Sequence, residues 1–512
     1  MTHDFSRIPN VEIPRSSFDR SHTVKTTFDG GLLIPILVDE ALPGDTFNCR
    51  LTAFSRLATP IHPVMDNMFM ETFFFAVPYR LVWDNWVKMN GEQTDPGDST
   101  DFTVPEFANT GGVDELSLSD YLGVPPGVTN LPFNSLYHRA YNLIWNEWFR
   151  DQNLQDSAVV DKGDTNSGIS FYTLRRRGKR HDYFTACLPF PQKGDSVSIP
   201  LGDTAPVQPL GAGVPTFDVS SITGATIGKP AGTDNVIWSS SSVGADSQAA
   251  WNNPALETDL SGATAATINA LRQGFQVQRM LERDARGGTR YTEIVRSHFG
   301  VISPDQRLQR PEYLGGGSTP VNIQPVAQTQ NFNGALGDLG GFGTARIVNH
   351  GFMKSFTEHC IIIGLVNVRA DLTYQQGLSR HFSRQTRFDF FWPSLSHIGE
   401  QAVLNKEIYA QGTAADDDVF GYQERFAEYR YKESQITGLF RSNAGQSLDP
   451  WHLSQDFDSL PVLGDTFIQD DPPIDRVISV PDEPHFIFDG YFSMRCARPM
   501  PMYGVPGLID HF

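Results

Sequence analysis

Hydrophobic and polar positions alternate along several stretches near both ends of the chain. In residues 47–58, Phe47, Cys49 and Leu51 are separated by polar side chains, and this period of two is typical of a strand with one wet face. Apolar runs bounded by turn-forming residues predict more strands in the same regions. The full set of predicted strands is 32–38, 47–58, 68–83, 360–374, 426–440 and 485–498.

The stretch METFFFAVPYRLVW, within residues 68–83, is predicted to contain a central strand. Successive side chains of a strand point to opposite faces, so Phe73 and Phe75 should share one face and Thr72 and Phe74 the other. Because Phe occurs on both sides, neither face should be freely exposed to water.

The middle of the chain has helical periodicity instead. In residues 133–152, apolar side chains recur on one face and predict a helix. The side chains placed away from that face are Arg139, Asn142 and Asn146. Residues 264–285 and 289–300 predict two further helices, the second ended by Gly300.

Strand-rich ends around a helical middle predict a mainly β protein, a β-sandwich with long inserted loops and a few helices. Residues 1–21 predict an extended N-terminal arm. Residues 195–262 are rich in Gly, Ala, Ser, Thr and Pro, with seven acidic side chains and one basic one, and they predict a surface insertion. The remaining core would comprise residues 22–194 and 263–512.

Composition sharpens one feature of this picture. The 512 residues include 40 Lys or Arg and 59 Asp or Glu, for a formal net charge of -19. Residues 175–180 nevertheless carry five cations in six positions. This basic cluster consists of Arg175, Arg176, Arg177, Lys179 and Arg180. An aromatic and apolar stretch, DYFTACLPFP, follows it directly, so the cluster should be anchored to folded structure rather than carried on a tail.

Chemical motifs are largely missing from the sequence. GATIGKP at 224–230 lacks the spacing and the Ser or Thr of a phosphate-binding loop, and GGFG at 340–343 is interpreted as a flexible connection. The triple aspartate at 416–418 is interpreted as a solvated turn. The four cysteines are far apart and predict buried, reduced thiols. We expect no catalytic set, cofactor or metal, and no signal peptide or membrane helix, which favours a structural or binding role.

Three longer stretches resemble the major capsid protein of gokushoviruses, small icosahedral bacterial viruses of the microvirus group. They are RGKRHDYFTACLPFPQKG (177–194), ERDARGGTRYTEIVRSHFGV (282–301) and RLQRPEYLGGGSTPVNI (307–323). The opening from RSSFDRSHTVKTTFDGG onward is similar too. The resemblance implies an eight-stranded viral jelly roll, assembled as sixty copies in a T=1 shell around a circular single-stranded DNA genome. It also implies a small basic DNA-binding protein as partner, and a location in the virion after assembly in the host cytoplasm.

The same resemblance implies that the loop between the first two stretches forms a protrusion at the threefold axis, for which attachment to a host surface receptor is the natural role. Neighbouring copies could bury apolar side chains there that a single copy cannot. The candidate contact residues are Val236, Ile237 and Trp238.

Alternatives remain open for the basic cluster and for the function. The cluster could pair with carboxylates of a neighbouring subunit, contact packaged DNA, or form a solvated loop. A carbohydrate-active or carbohydrate-binding β-sandwich protein is the alternative function, although no carboxylate pair can be placed from sequence. A secreted lectin-like module is disfavoured by the missing signal peptide.

Overall fold

The computed structural model describes four long segments and six short strands of the chain. The long segments are 14–197, 268–302, 309–330 and 337–503. The short strands are 207–209, 216–219, 222–228, 237–238, 249–253 and 256–258. Contacts divide the chain into two compact units, one formed by residues 1–191 with 287–512 and the other by residues 192–286.

Strands dominate the described part of the chain. In chain order they are β1 Ser16–Asp19, β2 His22–Phe28, β3 Ile34–Ala41, β4 Thr46–Leu57, β5 Met68–Pro78, β6 Glu106–Asn109, β7 Leu131–Asn134, β8 Val207–Pro209, β9 Thr216–Val219, β10 Ile222–Gly228, β11 Ile237–Trp238, β12 Ala249–Asn253, β13 Leu256–Thr258, β14 Glu312–Ala327, β15 Leu339–Ser355, β16 Cys360–Ala370, β17 Glu400–Leu404, β18 Val419–Glu424 and β19 Phe486–Arg498. The α-helices are α1 Trp86–Met89, α2 Leu118–Tyr121, α3 Leu136–Ile144, α4 Ile268–Arg286, α5 Tyr291–Phe299, α6 Asn405–Ile408 and α7 Asp465–Ile468.

Eight strands of the first unit pair like one long hairpin that has been folded over. β2 pairs with β19, β3 with β16, β4 with β15 and β5 with β14, always antiparallel. Two further pairings, β19 with β4 and β16 with β5, join these ladders into the sheets β2-β19-β4-β15 and β3-β16-β5-β14. Among these eight strands the first therefore pairs with the last, the second with the seventh, the third with the sixth and the fourth with the fifth. This is the jelly-roll arrangement, which confirms the predicted fold class.

Two long strands link the sheets along one edge. The first part of β14 pairs with β5, and its residues 322–327 pair with residues 339–344 of β15. The antiparallel sheet is therefore continuous and curled. Within β15, the register shifts between Ile347 and His350, where Asn349 takes a left-handed backbone conformation with φ 59°. This is the geometry of a β-bulge, which bends a strand and increases its local twist.

The main core lies on the inner faces of the two sheets. Every second residue of β4 from Phe47 to Leu57 is buried, as the alternation of the sequence predicts. The predicted faces of β5 are also confirmed. Phe74 packs in this core, 5.5 Å from the ring of Phe352, whereas Phe73 and Phe75 contact a second cluster on the opposite face. Burial of one such ring contributes roughly 2–3 kcal/mol, so aromatic residues on both faces hold β5 between two apolar layers.

The second apolar layer is built around α3, which continues as a π-helical turn, Trp145–Phe149. Arg139, Asn142 and Asn146 lie away from its apolar face as predicted, but all three are buried. Their side chains donate to carbonyls of the surrounding loops, including Gly163 at 2.9 Å, Val159 at 2.9 Å and Ala158 at 2.8 Å. The sequence pattern cannot distinguish this covered polar face from a solvated one.

Several local predictions are wrong. Residues 426–440 form no strand and contain short 3-10 helices at Ala427–Tyr429 and Gly438–Phe440. The stretch 340–343 lies in strand β15 rather than in a flexible connection. Gly343 is needed for packing, since a Cβ there would lie 2.9 Å from side-chain atoms of Leu57 and Ile323. The predicted strand at 68–83 ends at Pro78.

Candidate interaction surfaces

The basic cluster is fixed to the chain by backbone hydrogen bonds on two sides. On one side, the amide of Leu33 donates to the carbonyl of Arg175 at 3.0 Å, and the amide of Arg177 donates to Gly31 at 2.9 Å. On the other side, Lys179 donates to Ile468 at 2.8 Å, and Asp470 donates to Arg177 at 2.8 Å. The cluster therefore bridges the start of β3 and the end of α7.

Arg177 forms the centre of a buried ion network. Its guanidinium binds the carboxylate of Glu71 on β5, and Arg369 on β16 binds the same carboxylate at 3.0 Å. The side chains of Arg177 and Glu71 are 15% and 13% exposed. Burial opposes ionisation of Glu71, but the two arginines hold the pKa of its carboxyl below the ordinary value. Arg177 also lies over the ring of Phe73, 4.6 Å from its centre.

Lys179 and Asp470 form a second buried pair of charges next to this network. The ammonium of Lys179 donates to Gln455 at 3.2 Å and lies 4.5 Å from the ring centre of Phe467. Burial lowers the pKa of Lys179 to about 8 and raises the pKa of Asp470 to about 7. One oxygen of the Asp470 carboxyl is buried without a hydrogen-bond partner among the described residues.

The other three cations of the cluster also contact their own chain. Arg180 pairs with Asp371 at 3.0 Å, and Arg176 pairs with Asp471 at 2.9 Å. Arg175 stacks over Trp145 at 5.3 Å and donates to the carbonyl of Phe171 at 3.3 Å. Sequence reasoning missed the acidic partners Glu71, Asp371 and Asp471 because they lie between about 100 and 300 residues away along the chain. Contact of the cluster with a neighbouring subunit or with DNA remains a prediction.

The predicted protrusion contacts are only partly within the described residues. Val236 lies outside them, and Ile237–Trp238 form strand β11, which pairs antiparallel with Gly228 and Ile227 of β10. In the second unit, β11, β10, β9 and β12 make a four-stranded sheet, and β13 pairs with β8. None of these strands joins the jelly-roll sheets in the part of the chain that the structure describes.

An aromatic patch that the sequence analysis did not identify lies on residues 382–392. Phe388 is 66% exposed and Trp392 is 41% exposed, next to Phe390 and Phe391. Two contacts fix the rings of this patch. The ring centre of Phe391 lies 5.4 Å from that of Phe426, and the guanidinium of Arg387 stacks 4.5 Å from the ring centre of Trp392. A soluble monomer rarely exposes so many large apolar side chains together, so this aromatic patch is a candidate contact surface.

Cysteines and potential metal ligands form no candidate site in the described segments. The four cysteines are free and buried, as predicted, and burial raises the pKa of Cys49 and Cys360 to about 12. No group of three His, Cys, Asp or Glu residues in these segments is arranged to hold a metal ion. None of the described helices is both long and apolar enough to cross a membrane. Asp416 accepts amide hydrogen bonds from Gln411 and Gly412 within a turn.

The jelly roll agrees with comparisons to known proteins. A family model described as capsid protein (F protein) matches residues 6–508. The capsid protein VP1 of Bdellovibrio phage phiMH2K is 48% identical over 100% of this chain and 98% of its own length. The chain belongs to this capsid protein family. Its members have a structural role, and a capsid protein assembles with copies of itself and is located in the virion.

Two other capsid proteins extend the comparison. The capsid protein VP1 of Chlamydia phage 1 is 43% identical over 99% of this chain and 98% of its own length. The capsid protein VP1 of Spiroplasma virus 4 is 37% identical over 99% of this chain and 97% of its own length. All three are proteins of gokushoviruses, so the resemblance drawn from the sequence motifs is confirmed. The alignment with the Bdellovibrio phage protein covers the whole chain, including residues 195–262, which contain none of the three motifs.

Proposed function

We propose that this capsid protein forms a T=1 icosahedral shell of sixty copies around a circular single-stranded DNA genome. The observation that supports the proposal most directly is an eight-stranded jelly roll in a chain aligned end to end with gokushovirus capsid proteins. The shell assembles in the cytoplasm of the bacterial host. This function is favoured over the carbohydrate-related alternative because the family is structural.

The partners of the shell belong to the same proposal. A chain of net charge -19 cannot neutralise a DNA genome by bulk charge, so a small basic DNA-binding protein supplies most of the counter-charge. The insertion at 195–262 is the outer protrusion at the threefold axis, with Val236, Ile237 and Trp238 among its contacts, and it meets a host surface receptor. The basic cluster has most of its charge balanced by Glu71, Asp371 and Asp471, and it reaches a neighbouring subunit or DNA through its half-exposed arginines, Arg175, Arg176 and Arg180.

The proposal is tested by purifying particles from cells that express the genome. Electron microscopy should show icosahedral particles with sixty-copy symmetry. Nuclease-treated particles should release circular DNA that a single-strand-specific nuclease degrades. Particles with a different copy number would contradict the T=1 shell, and double-stranded DNA would contradict the genome assignment.

The aromatic patch gives a prediction about assembly. Phe388→Asp places a charge where we propose that a neighbouring copy packs, so burial would leave an unpaired carboxylate in the contact. We expect folded subunits with normal melting behaviour but a loss of shells by at least tenfold, measured by sedimentation. Met65→Asp is the matched control, because Met65 is also 66% exposed but lies outside the patch. Equal shell yields for both variants would contradict a role of the patch in assembly.

A further inference from the structure

One face of the jelly roll combines unpaired arginines with open aromatic rings. It is the outer face of the sheet β2-β19-β4-β15, where alternate residues point away from the core. Its charged side chains are Lys25, Arg50, Arg56, Arg346 and Arg495, with only Asp19 and Asp489 opposing them. This basic sheet face therefore carries five cations and two carboxylates in a chain of net charge -19.

Most of these cations have no partner among the residues that the structure describes. Lys25 pairs with Asp489 at 2.7 Å, and Arg495 lies opposite Asp19 across the β1–β19 ladder. For Arg50, Arg56 and Arg346, the described residues provide no hydrogen bond or ion pair, and all three are exposed. This contrasts with the basic cluster at 175–180, whose arginines and lysine all contact groups of their own chain.

Two aromatic side chains lie among the free arginines. Phe54 is 53% exposed and lies directly opposite Arg346 in the β15–β4 register, two residues from Arg56 on the same strand. Tyr491 is 48% exposed and lies opposite Thr52, one cross-strand diagonal away from Phe54. Neither ring stacks on another ring or on a cation within the described chain, so both have open faces, unlike Trp392 under Arg387.

The spacing of these groups suits an extended polyanion. Arg50 and Arg56 are six residues apart on β4, which corresponds to about 20 Å along a strand, and Phe54 and Tyr491 lie between them in the sheet. Arginines that pair with phosphates, together with rings on which bases stack, are the two elements of single-stranded nucleic acid recognition. The face also exposes Val348, Ile487 and Met353, but Phe54 at its centre lies between Arg346 and Asp489 in the two ladders. Charged side chains therefore occupy the centre of the face, where a stable protein interface is depleted of charge.

We propose that the basic sheet face binds the packaged single-stranded DNA directly, through its free arginines and through stacking on Phe54 and Tyr491. This inference rests on the proposed enclosure of such a genome and adds the surface of the subunit that contacts it. An acidic surface of a second copy would also be attracted to the arginines, but it would leave the two open rings without a stacking partner. The face therefore faces the genome inside the shell.

The binding test uses the purified full-length chain and a fluorescein-labelled oligodeoxythymidylate of about 20 nucleotides. Anisotropy is measured over a series of salt concentrations. We expect Arg56→Gln combined with Arg346→Gln to weaken binding by at least tenfold at low salt, and to reduce the dependence of log affinity on log salt by about 1–2. Phe54→Leu combined with Tyr491→Leu should weaken binding about tenfold with an unchanged salt dependence, because no phosphate contact is lost.

Matched controls come from exposed residues outside this face. Arg272→Gln combined with Arg279→Gln, and Phe275→Leu, change the same residue types at exposed positions of α4 and should leave affinity and salt dependence unchanged. If the face variants bind like the controls, the inference is wrong. If they retain wild-type affinity for the oligonucleotide but fail to form shells, the face contacts another subunit, and the inference is again wrong.

A packaging measurement separates this inference from the proposed function. Particles carrying the Arg56→Gln and Arg346→Gln changes should contain less nuclease-protected single-stranded DNA per shell than wild-type particles. Wild-type particles with protected single-stranded DNA, together with variants that package the same amount, would refute only the sheet-face contact. Wild-type particles without single-stranded DNA would refute the proposed genome enclosure itself.

Discussion

Asp470 is a buried carboxyl group that lies next to three cations without a direct hydrogen bond from any of them among the described residues. Burial raises its pKa to about 7, although Arg369, Lys179 and Arg177 oppose this shift. The amide of Asp470 holds the basic cluster in place by donating to Arg177. Asp470 therefore supports the cluster through its backbone, whereas ionisation of its own buried carboxyl is unfavourable near neutral pH.

The titration of Asp470 predicts a change of subunit stability with pH. The ordinary pKa is 3.8 and the folded value about 7, so between these pH values the unfolded chain releases a proton that the folded chain retains. The free energy of unfolding should thus fall as pH rises from about 4 to about 7. Asp470→Asn removes this contribution, and the melting temperature of the variant minus that of the wild type should increase steadily from pH 4.5 to 7.

The neighbouring Asp471→Asn is the control for that measurement, because Asp471 is 68% exposed and pairs with Arg176 at the surface. This variant should keep the pH profile of the wild type. A constant difference in melting temperature between Asp470→Asn and wild type across the range would mean that Asp470 is ionised throughout.

At the scale of single elements, α3 shows how a helix with a polar face can be a core element. The guanidinium of Arg139 donates to the carbonyls of Val82 at 3.1 Å, Gly163 at 2.9 Å and Thr165 at 3.3 Å, and to Asn166 at 2.7 Å. These acceptors belong to loops on both sides of the helix. One buried side chain thereby orders chain segments that have no regular structure of their own.

Replacement of Arg139 tests this role. Arg139→Met keeps much of the side-chain volume but leaves several buried carbonyls without a donor, each costly when unsatisfied. We expect the free energy of unfolding to fall by about 3 kcal/mol, measured by urea denaturation, with faster proteolysis between Asp161 and Gly168. The exposed Arg56→Gln should change stability by less than about 0.5 kcal/mol. A similarly small effect of Arg139→Met would show that water replaces the lost donor.

Elements also differ in how well the sequence predicts them. β4 and β5 were predicted because their alternation and their aromatic residues reflect burial, which local sequence encodes. β14 and β15 were missed, since Gly315, Gly316 and Gly317 in β14 and Gly340, Gly341 and Gly343 in β15 give no β-propensity. Close packing explains the glycines of β14, since a Cβ on Gly316 would lie 2.0 Å from the carbonyl oxygen of Thr72.

At the scale of the whole molecule, the pairing of strands depends on partners far apart in sequence. β2 pairs with β19 across more than 400 residues, and no local pattern specifies such a ladder. The class of fold followed from strand-rich ends and from the family resemblance, whereas the partners of the basic cluster needed the tertiary structure. Glu71 illustrates this. Its strand was predicted from the apolar residues alone, and nothing in the local sequence indicates that its carboxylate binds Arg177 and Arg369.

Removal of the insertion tests the proposal that the jelly roll forms the shell and the insertion attaches to the host. Residues 192–286 form a compact unit apart from the jelly roll. The chain that enters it runs against α4, because the amide of Lys193 donates to the carbonyl of Leu281 at 3.3 Å and a Cβ on Gly274 would lie 3.6 Å from the side chain of Val197. A linker that leads from residue 196 back to the segment before α4 therefore starts beside that helix, and the entropy of closing a loop there changes only slowly with its length. The seven acidic residues of 195–262 against a single cation also disfavour contact with packaged DNA.

We therefore expect that replacing residues 197–260 with a short Gly/Ser linker in an infectious genome leaves shell assembly intact, because no described strand of that segment pairs with the jelly roll. Particle yield by sedimentation should stay within about twofold of wild type, whereas plaque-forming units per particle should fall by orders of magnitude once the outer attachment surface is gone. Adsorption of purified particles to host cells separates the steps, since a deletion that acts through attachment must lower adsorption as much as infectivity. An insoluble or unfolded subunit would instead place the insertion in the folding core, and normal adsorption would refute its role in attachment.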